Sequence, residues 1–349
     1  MRPGMRPRTR ASLPQREVHS GPAGPILIAP EPMTAIQELK LTVVGAGYVG
    51  STCAQLAALK SIAKEIVLVD VLEGRPQGIA LDLNQSAAIE GLGARVVGTN
   101  DPADTRDSDL FIVTAGRPRK PGMSRSDLLE VNGRIVSEVA DYVRSGSPEA
   151  IVIVVTNPLD SMVSLMRARL GFPAKRVVGM AGVLDSARFS WFIAERTGAS
   201  VQDVDAMVLG AHGDSMVPMP RYCTVNGVQL GDLVGAPEIE ELAHRTKHGG
   251  AEIVGLLKTG SAWYAPASAA VAMAASILGD QKRLLPCACY LNGQFGFEGV
   301  YMGVPAVLGR AGVERIVEVP LSAEARAALH KTAAAVQEDV DALRELGLL

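Results

Sequence analysis

The amino-acid sequence predicts an α/β protein with a six-stranded, doubly wound parallel sheet, followed by a mixed α+β domain. Three observations support this prediction. Short apolar segments rich in β-branched residues alternate with helical patterns from Leu39 onward, a glycine-rich turn follows the first of them, and the alternation stops after Gly182. Strands that are apolar throughout are typical of parallel sheets covered by helices on both faces.

Composition restricts the partners of the protein. The 349 residues are 48% apolar and 20% charged, which indicates a globular protein with a sizeable core. A net charge of −3 gives no reason to expect nucleic acid or an acidic membrane surface as partner, and an aromatic content of 4% argues against base-stacking platforms. The four cysteines lack the spacing of metal ligands, so we expect no metal and a reducing compartment, by default the cytoplasm.

Residues 1–35 differ from the rest of the chain. They are rich in arginine and proline and lack the continuous apolar core of a secretory signal. We expect a disordered N-terminal extension, or a start codon placed too far upstream, in which case Met33 would be the real start. A transit peptide, which would place the protein in an organelle matrix, is the alternative.

The first domain is predicted over residues 36–181. Its six strands are expected at residues 39–44, 65–69, 94–98, 109–114, 150–156 and 176–180, with helices at 51–60, 78–90, 126–144 and 161–170 between them. This order is typical of the doubly wound dinucleotide-binding fold, the Rossmann fold.

The second domain is predicted over residues 182–349. Helices are expected at residues 185–197, 239–259, 262–278 and 323–346, and short strands at 204–209, 222–225, 284–291 and 299–308. Residues 262–278 carry no charge, but they contain Pro266 and many alanines and are slightly short for a membrane span. We therefore expect a buried helix there.

The segment GAGYVG directly follows the first strand. Gly45, Gly47 and Gly50 satisfy the G-x-G-x-x-G pattern, in which the glycines allow a tight turn, close approach of a pyrophosphate, and close packing of helix on strand. Asp70, at the end of the second strand, is placed for an adenosine ribose, and its negative charge favours NAD over NADP. The alternative is a structural turn with a solvated aspartate.

His212 lies between two glycines in the segment GAHGDS, after an apolar strand. A histidine in such a loop can exchange a proton with a substrate hydroxyl near neutral pH. A loop histidine without a role fits the pattern equally well. His244, His248 and His330 are expected on solvated helix faces, and His19 belongs to the N-terminal extension.

Asp185 and Arg188 are one helical turn apart, after the sixth strand. Asp185 is a candidate to orient a histidine base, although it could equally cap the helix. The two side chains can face the same side of that helix.

Four cations follow the fourth strand within residues 116–125: Arg117, Arg119, Lys120 and Arg125. Ligands bind at the carboxyl ends of such strands, and guanidinium groups bind carboxylates in bidentate fashion. The prolines and glycines of this segment predict a lid-like loop. Asn157, at the end of the fifth strand, has the same kind of position, although an ordinary Asn-Pro turn would also explain it.

Six motifs together, GAGYVG, TAGRPRKPGMSR, VVTNP, GVLDSAR, GAHGDS and GSAWYAP, resemble the lactate/malate dehydrogenase family from about Leu39 to near the C-terminus. The resemblance is closest to the lactate-dehydrogenase-like malate dehydrogenases of bacteria. It implies an oxidoreductase that uses NAD for reversible oxidation of (S)-malate to oxaloacetate, a place in the tricarboxylic acid cycle, and a homodimer or homotetramer.

The resemblance also implies a role for each matching residue. His212 would be the proton acceptor and donor, Asp185 its orienting carboxylate, and Arg188 the clamp on the carboxylate beside the reacting carbon. Arg125, on the loop, would polarise the carbonyl. Arg119 would select a dicarboxylate, because the lactate enzymes that resemble this pattern have glutamine at this position. Asn157 and Ser261 would line the substrate site. The predicted cofactor-binding residues are Gly45, Gly47, Tyr48, Val49, Gly50, Asp70, Thr114, Ala115, Gly116, Asn132, Val155 and Asn157.

Other functions are compatible with parts of this pattern. A lactate or other 2-hydroxyacid dehydrogenase is the nearest alternative, and Arg119 argues against it. An NAD-dependent glycosidase would need metal-ligating Cys and His positions that are not found in the sequence. A non-catalytic NAD-binding sensor would have little use for His212, Asp185 and the arginines together. Arg117 has no assigned role.

Overall fold

A parallel sheet forms the centre of the part of the chain that the computed structural model describes, residues 38–118 and 124–349. Its strands are β1 (Lys40–Val44), β2 (Glu65–Val69), β3 (Arg95–Thr99), β4 (Leu110–Val113), β5 (Ile151–Val154) and β6 (Val177–Gly179). They lie in the order β3-β2-β1-β4-β5-β6 and all pair in parallel. The prediction of a six-stranded doubly wound parallel sheet is confirmed.

Four helices connect these strands: α1 (Tyr48–Leu59), α2 (Arg75–Glu90), α3 (Arg125–Gly146) and α4 (Leu159–Leu170). All four begin earlier than predicted, α3 by one residue and the others by two or three. In α2 a proline occupies the first turn, where its missing N–H costs no hydrogen bond. In α3 the Ser124 side chain accepts a hydrogen bond from the N–H of Asp127, whose carboxylate accepts one from the N–H of Ser124. This capping box fixes the start of the helix.

The second half of the chain contains α5 (Gly182–Thr197), α6 (Leu230–Leu233), α7 (Ala236–Leu257), α8 (Tyr264–Leu278) and α9 (Ala323–Glu345). Its short strands are β7 (Val204–Asp205), β8 (Val208–Leu209), β9 (Val217–Pro218), β10 (Thr224–Val225) and β11 (Val228–Gln229). The predicted single strand at residues 204–209 is wrong, because β7 pairs with β10 whereas β8 pairs with β9. Single turns of 3₁₀ helix lie at Pro102–Thr105, Ala174–Arg176, Val201–Asp203, Pro220–Tyr222 and Gln294–Gly296.

Three long strands extend the parallel sheet: β12 (Arg283–Asn292), β13 (Glu298–Gly309) and β14 (Gly312–Ile316). The sheet has nine strands because β12 pairs antiparallel with β6, through Ala288 and Gly179, and β13 and β14 follow. These strands were expected in a separate domain. The sheet therefore crosses the predicted boundary between residues 181 and 182, and the division into domains 36–181 and 182–349 stays a prediction.

Helix α8 covers one face of the sheet beside α1. Most of its side chains are buried, and the buried alanines of the two helices belong to one continuous core. The structure agrees with the expectation of a buried helix here. Across residues 38–118 and 124–349, no helix is both long and apolar enough to cross a membrane. The predicted N-terminal extension, residues 1–35, lies outside the described residues.

Candidate functional site

A cavity of about 570 Å³ lies beside the glycine-rich turn and the GAHGDS loop. Most of the predicted site residues line it: Gly47, Tyr48, Val49, Gly50, Thr114, Gly116, Asn132, Val155, Asn157, Arg188, His212 and Ser261. Gly45, Asp70, Ala115 and Asp185 are not part of this lining. The fold thus brings residues from both halves of the chain to one site.

The glycine-rich turn forms an open cradle at the start of α1. Gly45 has φ +101°, and a Cβ on Gly50 would lie 1.8 Å from the carbonyl oxygen of Gly45, so only glycine fits there. A Cβ on Gly47, which lines the cavity, would meet nothing within 4 Å. An open backbone surface at a helix N-terminus fits the pyrophosphate of a dinucleotide.

Asp70 holds this turn in place. Its carboxylate accepts hydrogen bonds from the N–H groups of Ala46, at 2.6 Å, and Leu72, at 2.8 Å. Arg75 adds a hydrogen bond from Nε to the carbonyl oxygen of Ala46, at 2.7 Å. A carboxylate has further lone pairs, so Asp70 can still accept hydrogen bonds from a ribose.

Asn132 joins the segments that follow β4 and β5. Its buried amide accepts a hydrogen bond from the N–H of Arg117, at 2.7 Å, and donates to the carbonyl oxygens of Arg117, at 3.1 Å, and Asn157, at 2.7 Å. Thr156 similarly donates from Oγ1 to the carbonyl oxygen of Ala115, at 2.7 Å. These two residues fix the walls of the cavity, and Asn132 uses its amide on the protein backbone.

His212 and Asp185 form a hydrogen-bonded pair. His212 Nδ1 lies 2.9 Å from Asp185 Oδ2, and Asp185 is almost completely buried. Asp185 does not cap α5, because the N-cap residue is Ala181 and the Asp185 carboxylate faces His212 and Arg188 instead. Of the two interpretations of Asp185, the structure therefore favours the orienting carboxylate.

The electrostatics of the pair suit proton transfer. Burial lowers the pKa of His212, but the charge and hydrogen bond of Asp185 outweigh it, and the net pKa lies above its ordinary value. Because Asp185 holds Nδ1, Nε2 is the nitrogen that can exchange a proton with a substrate.

The loop that carries His212 is fixed at two points. Gly210 pairs with Gly303 of β13 through two backbone hydrogen bonds of 2.9 and 3.0 Å, and its φ of +86° turns the chain there. The backbone N–H of His212 donates to Asp160 Oδ2, at 2.9 Å. Sequence reasoning missed Asp160, although an acidic residue inside the apolar stretch NPLDSMVSLM was a visible signal.

Arg188 reaches the cavity between α5 and α7. Its guanidinium lies 3.4 Å from Asp185 Oδ1, and a Cβ on Gly250 would lie 3.6 Å from its Nη2. Burial lowers the pKa of Arg188 and Asp185 raises it, with a net lowering. Arginine nevertheless keeps its charge in proteins, so a nearly buried cation faces the cavity beside His212.

Arg125 lies elsewhere than expected. It is the first residue of α3 rather than a loop residue, and it does not line the cavity. Its Nε and Nη2 lie 2.7 and 2.8 Å from the two carboxylate oxygens of Asp339 on α9, which also accepts a hydrogen bond from Ser161. Arg119 and Lys120 lie outside the described residues.

Helix α7 contributes residues that sequence reasoning missed. Lys247, Gly250, Ala251 and Val254 line the cavity. The helix itself was expected, but which of its faces meets the site follows only from its packing against α5. His244 and His248 on the same helix are exposed, as predicted, and so is His330 on α9.

Comparisons with known proteins extend over most of the chain. Residues 39–179 match the family model for the lactate/malate dehydrogenase NAD binding domain, and residues 182–346 match that for the lactate/malate dehydrogenase alpha/beta C-terminal domain. A malate dehydrogenase of Roseiflexus castenholzii is 49% identical over 307 residues, which cover 88% of this chain and 99% of that protein.

Solved structures of malate and lactate dehydrogenases are similar to this chain over most of its length. The malate dehydrogenase of Salinibacter ruber has a TM-score of 0.85 at 48% identity, over 88% of this chain and 98% of that one. The lactate dehydrogenase of Cryptosporidium parvum, solved with lactic acid and nicotinamide adenine dinucleotide, has a TM-score of 0.85 at 41% identity, over 88% of this chain and 98% of that one.

Proposed function

The chain belongs to the lactate/malate dehydrogenase family, and we propose that it is an NAD-dependent malate dehydrogenase, which interconverts (S)-malate and oxaloacetate. One observation carries the proposal most directly: the His212–Asp185 pair, joined at 2.9 Å, shares a cavity with Arg188 and the open glycine-rich turn. A proton acceptor, a carboxylate-binding cation and a dinucleotide cradle are the parts that this reaction needs.

His212 carries the proton. In malate oxidation, Nε2 accepts the proton of the substrate hydroxyl. NAD, which the glycine-rich turn would hold, would supply the acceptor for the hydride from the same carbon. Asp185 holds Nδ1 and compensates the charge of the imidazolium that forms. In oxaloacetate reduction, the protonated His212 returns the proton to the carbonyl oxygen.

Arg188 holds the carboxylate beside the reacting carbon. Its guanidinium is nearly buried and can form two parallel hydrogen bonds to a carboxylate. Gly249 and Gly250 of α7 leave room for this side chain: a Cβ on Gly249 would lie 3.4 Å from its Cδ. The substrate carbon would thereby be held close to His212.

Arg119 is our proposed selector of a dicarboxylate. Oxaloacetate carries a second carboxylate, and leaving a buried charge without a partner costs about 3–5 kcal/mol. Arg119→Gln should therefore lower kcat/KM for oxaloacetate by about a hundredfold or more and improve turnover of pyruvate. Initial rates of NADH oxidation with each oxoacid measure both effects.

Lys120→Gln is the matched control, because it removes a positive charge from the neighbouring position. It should leave the preference between oxaloacetate and pyruvate unchanged. Equal losses on both substrates in Arg119→Gln would contradict the assignment. The similarity to a lactate dehydrogenase makes pyruvate reduction the second candidate activity, and the same assay measures it.

An oligomer and a cytoplasmic location are further parts of the proposal. Large apolar side chains are more than half exposed at Leu81, Ile89, Trp191 and Leu256, which supports burial against other copies of the chain. Light scattering coupled to size exclusion would distinguish a homodimer, a homotetramer and a monomer. The four free, buried cysteines suit a reducing compartment.

A further inference from the structure

Asp160 is a buried carboxylate that the steps above do not use. It lies in the first turn of α4 and is 4% exposed. Its Oδ2 accepts the hydrogen bond from the backbone N–H of His212, at 2.9 Å. Within the described part of the chain, its Oδ1 has no hydrogen-bond partner, and it is shielded from solvent.

A charged side chain at this place is costly. Removing a carboxylate from water without a paired cation destabilises a protein, and an asparagine could accept the same hydrogen bond without that cost. Burial raises the pKa of Asp160 to about 7, against the hydrogen bond and charge of His212, which lower it, while the charge of Asp185 raises it further. The presence of a carboxyl group here, where an amide would suffice, therefore needs an explanation other than holding a loop.

The surroundings of His212 explain why a carboxyl group stands at position 160. Asp185 meets the imidazole at Nδ1, and Asp160 meets the same residue at its backbone N–H, so two carboxylates flank one histidine. Both raise the pKa of His212, whereas Arg188 lowers it. The other charged groups on the surrounding elements are Arg117 after β4, Lys247 on α7, Asp214 in the same loop, Arg125 on α3 and Asp339 on α9.

We propose that Asp160 is a positioning residue of the dehydrogenase reaction: it holds the backbone of His212 and, as a carboxylate, supplies a second negative charge to the protonated imidazole. The inference rests on the proposed function, because it concerns the proton that His212 carries. Arg188 places a positive charge beside His212, and the charge of Asp160 offsets that repulsion together with Asp185.

The sign of the expected pH effect follows from this charge. Asp160→Asn keeps an oxygen that can accept the backbone hydrogen bond but removes the negative charge, so the pKa of His212 should fall. Oxaloacetate reduction needs the protonated histidine and is lost as pH rises through this pKa. Malate oxidation needs the neutral histidine and is gained there. Asp160→Asn should therefore lower both the pH at which reduction is lost and the pH at which oxidation is gained; these two transitions are the limbs of the pH profiles.

The experiment compares pH profiles of kcat/KM in both directions for the full-length wild type, Asp160→Asn and Asp160→Ala. We expect both limbs to move by about half a pH unit or more in both variants. Asp160→Ala also loses the hydrogen bond that holds the loop, so its kcat should be about tenfold lower than that of Asp160→Asn at every pH. Unshifted limbs in Asp160→Asn would overturn the charge role, and an undiminished kcat in Asp160→Ala would overturn the holding role.

Asp109→Asn is the matched control. The Asp109 carboxylate also accepts a backbone hydrogen bond, from Lys40 at 2.8 Å, but it precedes β4, whereas the cavity is lined by residues that follow this strand, such as Thr114. The pH limbs of this variant should equal those of the wild type. A similar shift in Asp109→Asn would show that any lost carboxylate moves the profile, which would contradict a specific role for Asp160.

A second readout does not depend on turnover. Diethyl pyrocarbonate modifies neutral histidine, and mass spectrometry of the peptide that contains His212 follows this modification against pH. The midpoint should move to lower pH in Asp160→Asn, and an unmoved midpoint would overturn the proposal. If the wild type turned over neither malate nor oxaloacetate, the proposed function would fail while this measurement still tested the pairing of Asp160 with His212.

Discussion

At the scale of single residues, His212 is set apart from the exposed histidines of the described chain by its partners. Asp185 holds its ring and Asp160 its backbone, whereas His244, His248 and His330 lie on exposed helix faces. A proton acceptor needs a fixed ring and a neighbouring charge that stabilises its protonated form. His212 has the contacts that provide both.

Replacing His212 tests this assignment. His212→Asn should leave NADH binding unchanged and lower kcat by about 10²–10⁴-fold, because only the proton transfer is removed. Fluorescence titration with NADH and initial rates with oxaloacetate measure the two effects. His330→Asn is the control and should retain wild-type kcat. A wild-type kcat in His212→Asn would rule out its role as the proton carrier.

Asp70 determines the choice of nicotinamide cofactor in our account. Its carboxylate lies at the end of β2 beside the glycine-rich turn, where a 2′-phosphate would meet a like charge. We expect kcat/KM to be about a hundredfold higher with NAD than with NADP. Asp70→Asn should narrow that ratio, while Asp82→Asn, which removes an exposed charge on α2, should not. A wild-type preference for NADP would refute this interpretation.

At the scale of elements, β1, the glycine-rich turn and α1 combine two demands on glycine. Gly50 is required by packing, because a Cβ there would lie 1.8 Å from the carbonyl oxygen of Gly45. Gly47 is unconstrained by the protein itself, since a Cβ there meets nothing within 4 Å. A substitution at Gly50 should therefore affect stability, whereas one at Gly47 should affect cofactor binding.

We expect Gly50→Ala to lower the free energy of unfolding by about 3 kcal/mol, because backbone must shift to admit the methyl group. Gly47→Ala should change it by about 1 kcal/mol at most, as expected for an N-cap position. The Kd for NADH should nevertheless rise in Gly47→Ala, because the methyl group occupies the space of the pyrophosphate. Urea unfolding and NADH titration measure these effects. Unchanged NADH affinity in Gly47→Ala would contradict the cradle.

The contact between α3 and α9 shows what local sequence patterns do not reveal. Arg125 and Asp339 are 214 residues apart, yet they form a bidentate ion pair that Ser161 extends. The motif that contains Arg125 predicted a role at the substrate. Nothing in the sequence near Asp339 indicated its partner, because α9 reads as an ordinary amphipathic helix.

At the scale of the whole molecule, the parts predicted from sequence are those with a local cause. The six parallel strands follow from apolar runs between helices, and the turn at Gly45 follows from its glycines and its place after β1. The pairing of β12 with β6 was missed because the partner of a strand is decided by tertiary packing. The role of Asp160 was missed because its partner, the backbone N–H of His212, lies 52 residues away along the chain and is brought to it only by tertiary packing.

The site shows the same distinction. The sequence placed His212, Asp185 and Arg188 as separate candidates with open alternatives, and their distances depend on how α5 meets the loop before β9. Lys247 and Gly250 became part of the cavity only through the packing of α7 on α5. Residues whose role depends on a neighbour from a distant segment could not be derived from local spacing.

Initial rates of NADH oxidation by the purified wild-type protein, with oxaloacetate, pyruvate and 2-oxoglutarate in parallel, test the central claim most directly. Our account predicts that kcat/KM for oxaloacetate exceeds that for each of the other two by orders of magnitude, because Arg119 is our proposed partner for the second carboxylate of oxaloacetate. A kcat/KM for pyruvate equal to or above that for oxaloacetate would contradict it.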